Sequence, residues 1–120
     1  MKYYVPAVLW AAVITYLSLT AASNLPEIDW DFLAPDKVGH FTVYAILSIA
    51  LLWGRKQQRH VLPITYLVVT AFCAIYGILM EYSQLLLTND RMFEYPDMVA
   101  NILGAVLGAA VFRAIAYFIK

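Results

Sequence analysis

The chain has 120 residues, of which 63% are hydrophobic and 13% charged, with eight basic and eight acidic side chains and no net charge. A mean hydropathy of +0.72 is too high for a soluble domain, and the length is too short for several domains, so one membrane domain over residues 1–120 is expected. A single cysteine, Cys73, excludes an intrachain disulfide framework or thiolate metal cluster, and the short basic loop lacks the interleaved aromatics of a nucleic-acid site.

Apolar residues fill four stretches in chain order. Each is long enough to cross a bilayer core of about 30 Å at about 1.5 Å per helical residue. They predict helices over about 4–22, 36–53, 62–87 and 97–119, an all-α bundle of four transmembrane helices. The first stretch is led by Lys2 and followed by "TAAS". It exceeds the roughly 7–15 residues of a signal-peptide core and reads as a retained helix. The segment after it, "SNLPEIDWDFLAP", mixes acids with Trp30, Phe32 and Leu33 and suits a short stretch lying on the outer interface. Pro35 closes that stretch, and the second helix begins with Asp36 and Lys37 in its first turn. Between the second and third helices lies a basic loop, "GRKQQRH".

The charges divide by side once the helices are drawn. Lys2, Arg55, Lys56, Arg59, Arg113 and Lys120 share one side without an acid. All eight acids fall on the other, accompanied by Lys37 and Arg91. The positive-inside rule then makes both termini cytoplasmic in a multi-pass protein of the cytoplasmic membrane. Arg113, about 10 Å up the fourth helix from Lys120, reads as a snorkelling anchor.

Three helices carry polar faces at the outer side. Asp36, His40 and Tyr44 recur every four residues, with Lys37 beside them. "EYSQ" puts Glu81 and Gln84 on one face of the third helix, where a carboxylate within the bilayer needs a partner. "DMVAN" aligns Asp97 with Asn101, and Gly104 and Gly108 continue the same stripe with the small-xxx-small spacing of close helix packing, within one chain or between two copies. Arg91 sits in a loop from which its guanidinium reaches toward Glu81 or Asp97. Taken singly, Asp36, Lys37 and Asp97 also suit ordinary helix ends, His40, Gln84 and Asn101 interhelical hydrogen bonding, and Tyr44 simple space filling. Their gathering on one leaflet favours a polar pocket.

These residues resemble the VanZ-like family of small integral membrane proteins, named for a teicoplanin-resistance protein. The resemblance rests on "DKVGH" followed by Tyr44, on "EYSQ", and on "RMFEYPDMVAN" followed by Gly104 and Gly108. It matches the family pattern D-K-x-x-H, then E-x-x-Q, then R-x-F-D/E-x-x-D-x-x-x-N-x-x-G. The resemblance implies a bacterial cell-envelope protein, connected with antibiotic resistance, whose motif residues are Asp36, Lys37, His40, Glu81, Gln84, Arg91, Asp97 and Asn101.

Two functional readings follow, from different classes. In the first, an outward-facing pocket binds the head of a lipid-linked molecule or lipoglycopeptide, with Lys37 and Arg91 meeting phosphate or carboxylate. In the second, an enzyme alters a lipid-linked headgroup, with His40, Glu81 and Asp97 as the candidate catalytic groups and Ser83 or Tyr44 as candidate nucleophiles. The same His40, Glu81 and Asp97 offer nitrogen and oxygen donors to a divalent cation, but no HExxH or paired-carboxylate motif is present. No metal or cofactor is therefore expected. Membrane lipids are the expected partners, and a structural or transport-accessory role is the third alternative.

Overall fold

The computed structural model of the protein describes residues 1–20, 35–89 and 92–119, apart from the side chains of Pro35 and Asp36. A short 3-10 turn, Lys2–Tyr4, leads into α1 (Val5–Leu19); α2 (Pro35–Lys56), α3 (Pro63–Leu87) and α4 (Tyr95–Phe118) follow. All four helices are long and apolar enough to cross a membrane.

Each helix has a proline in its first turn: Pro6, Pro35, Pro63 and Pro96. Its missing N–H falls where the helix has no partner to offer, and its fixed φ suits the entry. The expected boundaries move by two residues or more at three ends. α1 stops at Leu19, because Thr20 is extended and turns its hydroxyl back onto the Tyr16 carbonyl at 2.6 Å. α2 continues through Gly54 to Lys56, into the expected basic loop. A Cβ at Gly54 would lie 2.6 Å from the Tyr4 ring and 2.8 Å from the Tyr3 carbonyl, so this glycine seats the N-terminal turn instead of ending the helix. Arg55 and Lys56 in the last turn also suit the negative end of the helix dipole. α4 starts at Tyr95, two residues earlier than its apolar run.

The axis of the bundle is the α2–α4 pair. On α4 the buried residues are Asp97, Asn101, Gly104, Ala105, Gly108, Ala109 and Phe112, one face at steps of three and four. A methyl group at Gly104 would overlap the backbone carbonyl of Phe41, and one at Gly108 would overlap the Ser48 hydroxyl and the Ala45 carbonyl. The glycine stripe is thus used within the chain, where it lets two backbones meet.

α3 closes on this pair at Gly77, where an added Cβ would lie 2.9 Å from Asn101 Nδ2 and 3.3 Å from the Tyr44 ring. α1 lies to the side, touching α2 and α3 but not α4 among the described residues. Trp10 donates its indole N–H to the Val43 carbonyl at 2.8 Å, and Tyr76 donates to the Ala11 carbonyl at 2.8 Å. Each polar group thereby finds a partner where lipid provides none. Leucine, isoleucine, valine and aromatic side chains cover the outside of the bundle, as a lipid-facing surface requires.

Candidate functional site

Because α2, α3 and α4 alternate in direction, the first turns of α2 and α4 meet the last turns of α3 at one end of the bundle. Polar residues that are dispersed along the chain converge there. Glu81, Gln84 and Asn101 are each at most 1% exposed, and Asp97 is 5% exposed.

His40 stands at the centre. Its Nδ1 lies 3.0 Å from Asn101 Oδ1, a hydrogen bond in which the imidazole N–H donates. The same nitrogen is 3.9 Å from Glu81 Oε1, beyond a hydrogen bond but well within electrostatic reach. On the other side of the ring, Nε2 faces Asp97 Oδ2 at 3.5 Å. One imidazole is therefore flanked by carboxylates from two other helices.

Lys37, one turn outward on α2, is paired with Glu94 and lies 2.5 Å from Asp97 Oδ1. Asp97 thus presents one oxygen to Lys37 and the other to His40. The arrangement offsets the cost of burying carboxylates at a membrane-spanning position. Above it, Phe93 packs between Tyr82 and Tyr95, with ring centres 4.9 and 5.2 Å away, and ties the α3 end to the start of α4.

Of the residues predicted for the site, Lys37, His40, Glu81, Asp97 and Asn101 come together. Gln84 is buried one turn from Glu81 on the same face, and its Nε2 has no hydrogen-bond partner among the described residues. Tyr44 is buried beside Tyr76 at a ring-centre distance of 6.2 Å, and its hydroxyl likewise has no hydrogen-bond partner there. Gly104 and Gly108 pack against α2, as described. The side chain of Asp36, the whole of Arg91 and the interfacial loop after α1 lie outside the described residues.

Ser83 does not join the cluster: its exposed hydroxyl donates to the Leu79 carbonyl at 2.7 Å on its own helix. Arg113 is exposed on α4 near the opposite end, where an anchor belongs.

Two contributors escaped the sequence reading. Glu94, the partner of Lys37, fills the D/E position of the family pattern but is not among the site residues expected from the sequence; its signal is its place three residues before Asp97, on the same entry turn. Gly77 was not singled out, although it sits four residues before Glu81 and admits Asn101 and Tyr44 to the α3 backbone.

Apolar helices of spanning length, with a half-buried histidine and buried carboxylates gathered at one end, define a polytopic helical membrane protein that carries a polar cluster. The chain belongs to the VanZ/LLP1 family, whose model matches residues 4–117. Searches of curated proteins and of solved structures returned no match.

Proposed function

We propose that this protein serves the bacterial cell envelope by binding the polar head of an envelope amphiphile, or of a lipoglycopeptide antibiotic, at the outer leaflet of the cytoplasmic membrane. The observation that carries this reading is the convergence of Lys37, His40, Glu81, Asp97 and Asn101 at one end of a bundle that is otherwise apolar. The opposite end bears Arg55, Lys56 and Arg59, so the positive-inside rule puts that end in the cytoplasm and the polar end outside.

In this reading the acyl part of the ligand lies along the apolar flanks and the head enters the cluster. Lys37, partly exposed at 27%, meets phosphate or carboxylate. Asp97 and Glu94 hold the ammonium in place, and Asn101, whose Oδ1 accepts from His40, offers its Nδ2 to the head. The kinship with a family named for teicoplanin resistance supports an envelope ligand of this kind.

Native mass spectrometry of amphiphiles retained by the purified protein tests the reading. Wild type retains a headgroup-bearing amphiphile, and Lys37→Ala loses it at least about tenfold while keeping its helical content, a loss of about 1.4 kcal/mol in binding. Equal retention by the two proteins contradicts it.

A second reading, an enzyme acting on a lipid-linked headgroup, is favoured by one specific observation: His40 stands between Glu81 and Asp97, the setting of an acid–base imidazole oriented by carboxylates. Here His40 moves the proton and the carboxylates orient it. This reading requires a chemically altered amphiphile in cells expressing wild type, and none in cells expressing His40→Ala.

A further inference from the structure

The sequence carries no contiguous metal-binding motif, but the fold assembles three metal-ligating side chains that are far apart in the chain. One ligand atom each from His40, Glu81 and Asp97 lie within 4.8 Å of one another. They come from three different helices, and the two carboxylates are buried.

The hydrogen bonding of the imidazole gives the arrangement its direction. With Nδ1–H donated to Asn101 Oδ1 at 3.0 Å, Nε2 is left with a lone pair. That lone pair faces another acceptor, Asp97 Oδ2, at 3.5 Å. Two electron pairs turned toward each other are reconciled by a group between them that accepts both, such as a proton, a hydrogen-bond donor or a metal ion. A proton fits poorly, because a charge-assisted N–H···O bond closes to about 2.7–2.9 Å. A metal ion fits well, since two ligands at about 2.0–2.2 Å from Zn²⁺, spread by a tetrahedral angle, stand about 3.4 Å apart.

The outer contacts have the form that holds metal ligands in place. Asn101 fixes the tautomer of His40, and Lys37 holds the far oxygen of Asp97 at 2.5 Å. Three further polar groups on the same helices have hydrogen-bonding capacity to spare. The Tyr44 hydroxyl, Asn101 Nδ2 and Gln84 Nε2 are buried without a hydrogen-bond partner among the described residues, and they lie on the helix faces that carry the three ligands. Three protein ligands leave coordination positions open, and these donors suit oxygens occupying them.

The geometry points to a divalent-cation site formed by His40, Glu81 and Asp97, which takes a first-row transition ion such as Zn²⁺ or Mn²⁺ and presents its open positions to headgroup oxygens. The one-imidazole, two-carboxylate donor set suits those ions better than Ca²⁺, which favours an all-oxygen cage of six to eight ligands. The cation's proposed contact with a headgroup rests on the function proposed above; the cation site itself does not.

The test uses the full chain in detergent or nanodiscs, stripped with a chelator and titrated with Zn²⁺ and, separately, Mn²⁺. Bound metal is counted by elemental analysis, and thermal unfolding is followed in parallel. Wild type is expected to take up about one ion per chain and to melt at a higher temperature with it. His40→Ala, Glu81→Gln and Asp97→Asn lose that uptake and the shift, whereas His60→Ala, altered in the basic loop at the opposite end, keeps both. Asn101→Ala, with a positioning residue removed, weakens affinity about 10- to 100-fold. The two carboxamide variants preserve side-chain size, so they report on ligation where His40→Ala fails to fold.

Absence of metal uptake by wild type overturns the proposal, as does undiminished uptake by Glu81→Gln and Asp97→Asn. Amphiphile retention without metal uptake sinks the cation and leaves the headgroup reading standing. Metal uptake through the three residues without any retained amphiphile upholds the cation and sinks the headgroup reading.

Discussion

The two halves of the α2–α4 interface have opposite chemistry. Toward the polar end, Lys37 and His40 face Glu94, Asp97 and Asn101 through ion pairs and a hydrogen bond. Toward the other end, Gly104 faces the backbone at Phe41, and Gly108 faces the backbone at Ala45 and the small Ser48 side chain. The glycine half allows one close approach and therefore fixes the register of the helices. The polar half is adjustable in length and charge, and meets only because that register is set. Close backbone packing is thus concentrated in one half and charged and hydrogen-bonding contacts in the other.

The largest effect is expected from filling the glycine half. Gly108→Leu forces a side chain into the Ala45 backbone and costs about 3 kcal/mol or more, with α2 and α4 separating and the polar cluster lost alongside. Thermal unfolding in detergent measures it; a stability equal to wild type would show that the two backbones need not touch. Next comes Lys37→Ala, which leaves Asp97 and Glu94 as neighbouring acids without that ammonium and destabilises by about 2 kcal/mol. Asp97→Asn combined with Lys37→Ala recovers part of this loss in a double-mutant cycle, and strict additivity would mean that the pair does not interact.

A smaller change, about 1 kcal/mol, is expected from Trp10→Phe, which removes the bond to the Val43 carbonyl at the side of the bundle. Since α1 does not touch α4, this variant leaves amphiphile retention intact. Loss of retention would place α1 within the functional unit. Ser83→Ala marks the lower end of the scale: among the described residues its hydroxyl bonds within α3 alone, so stability moves by less than about 0.5 kcal/mol and function is unchanged.

The division between the halves also explains what was legible beforehand. Helical spacing alone put Asp97 and Asn101 on one face and continued it to Gly104 and Gly108, because a helix face is a local property of four-residue steps. Alternation of the helices brought His40, Glu81 and Asp97 to one end, because successive spans joined by short loops reverse direction. The pairing of Lys37 with Glu94 was not legible: it depends on how far the loop before α4 folds back over α2, which no periodicity records. Nor was the orientation of His40, whose two nitrogens are assigned by neighbours on two other helices. The extension of α2 through Gly54 was hidden similarly, since the contact that accommodates the glycine comes from Tyr3 and Tyr4 at the other end of the sequence.

The proposed role of the polar half is to meet an envelope amphiphile. The most direct measurement compares lipids and cell-wall precursors, both cellular and protein-bound, between cells expressing wild type and cells expressing His40→Ala or Glu81→Ala at equal membrane levels. One headgroup-bearing species is expected to be retained or altered with wild type and to be neither with the two variants. Indistinguishable profiles for all three proteins would contradict it.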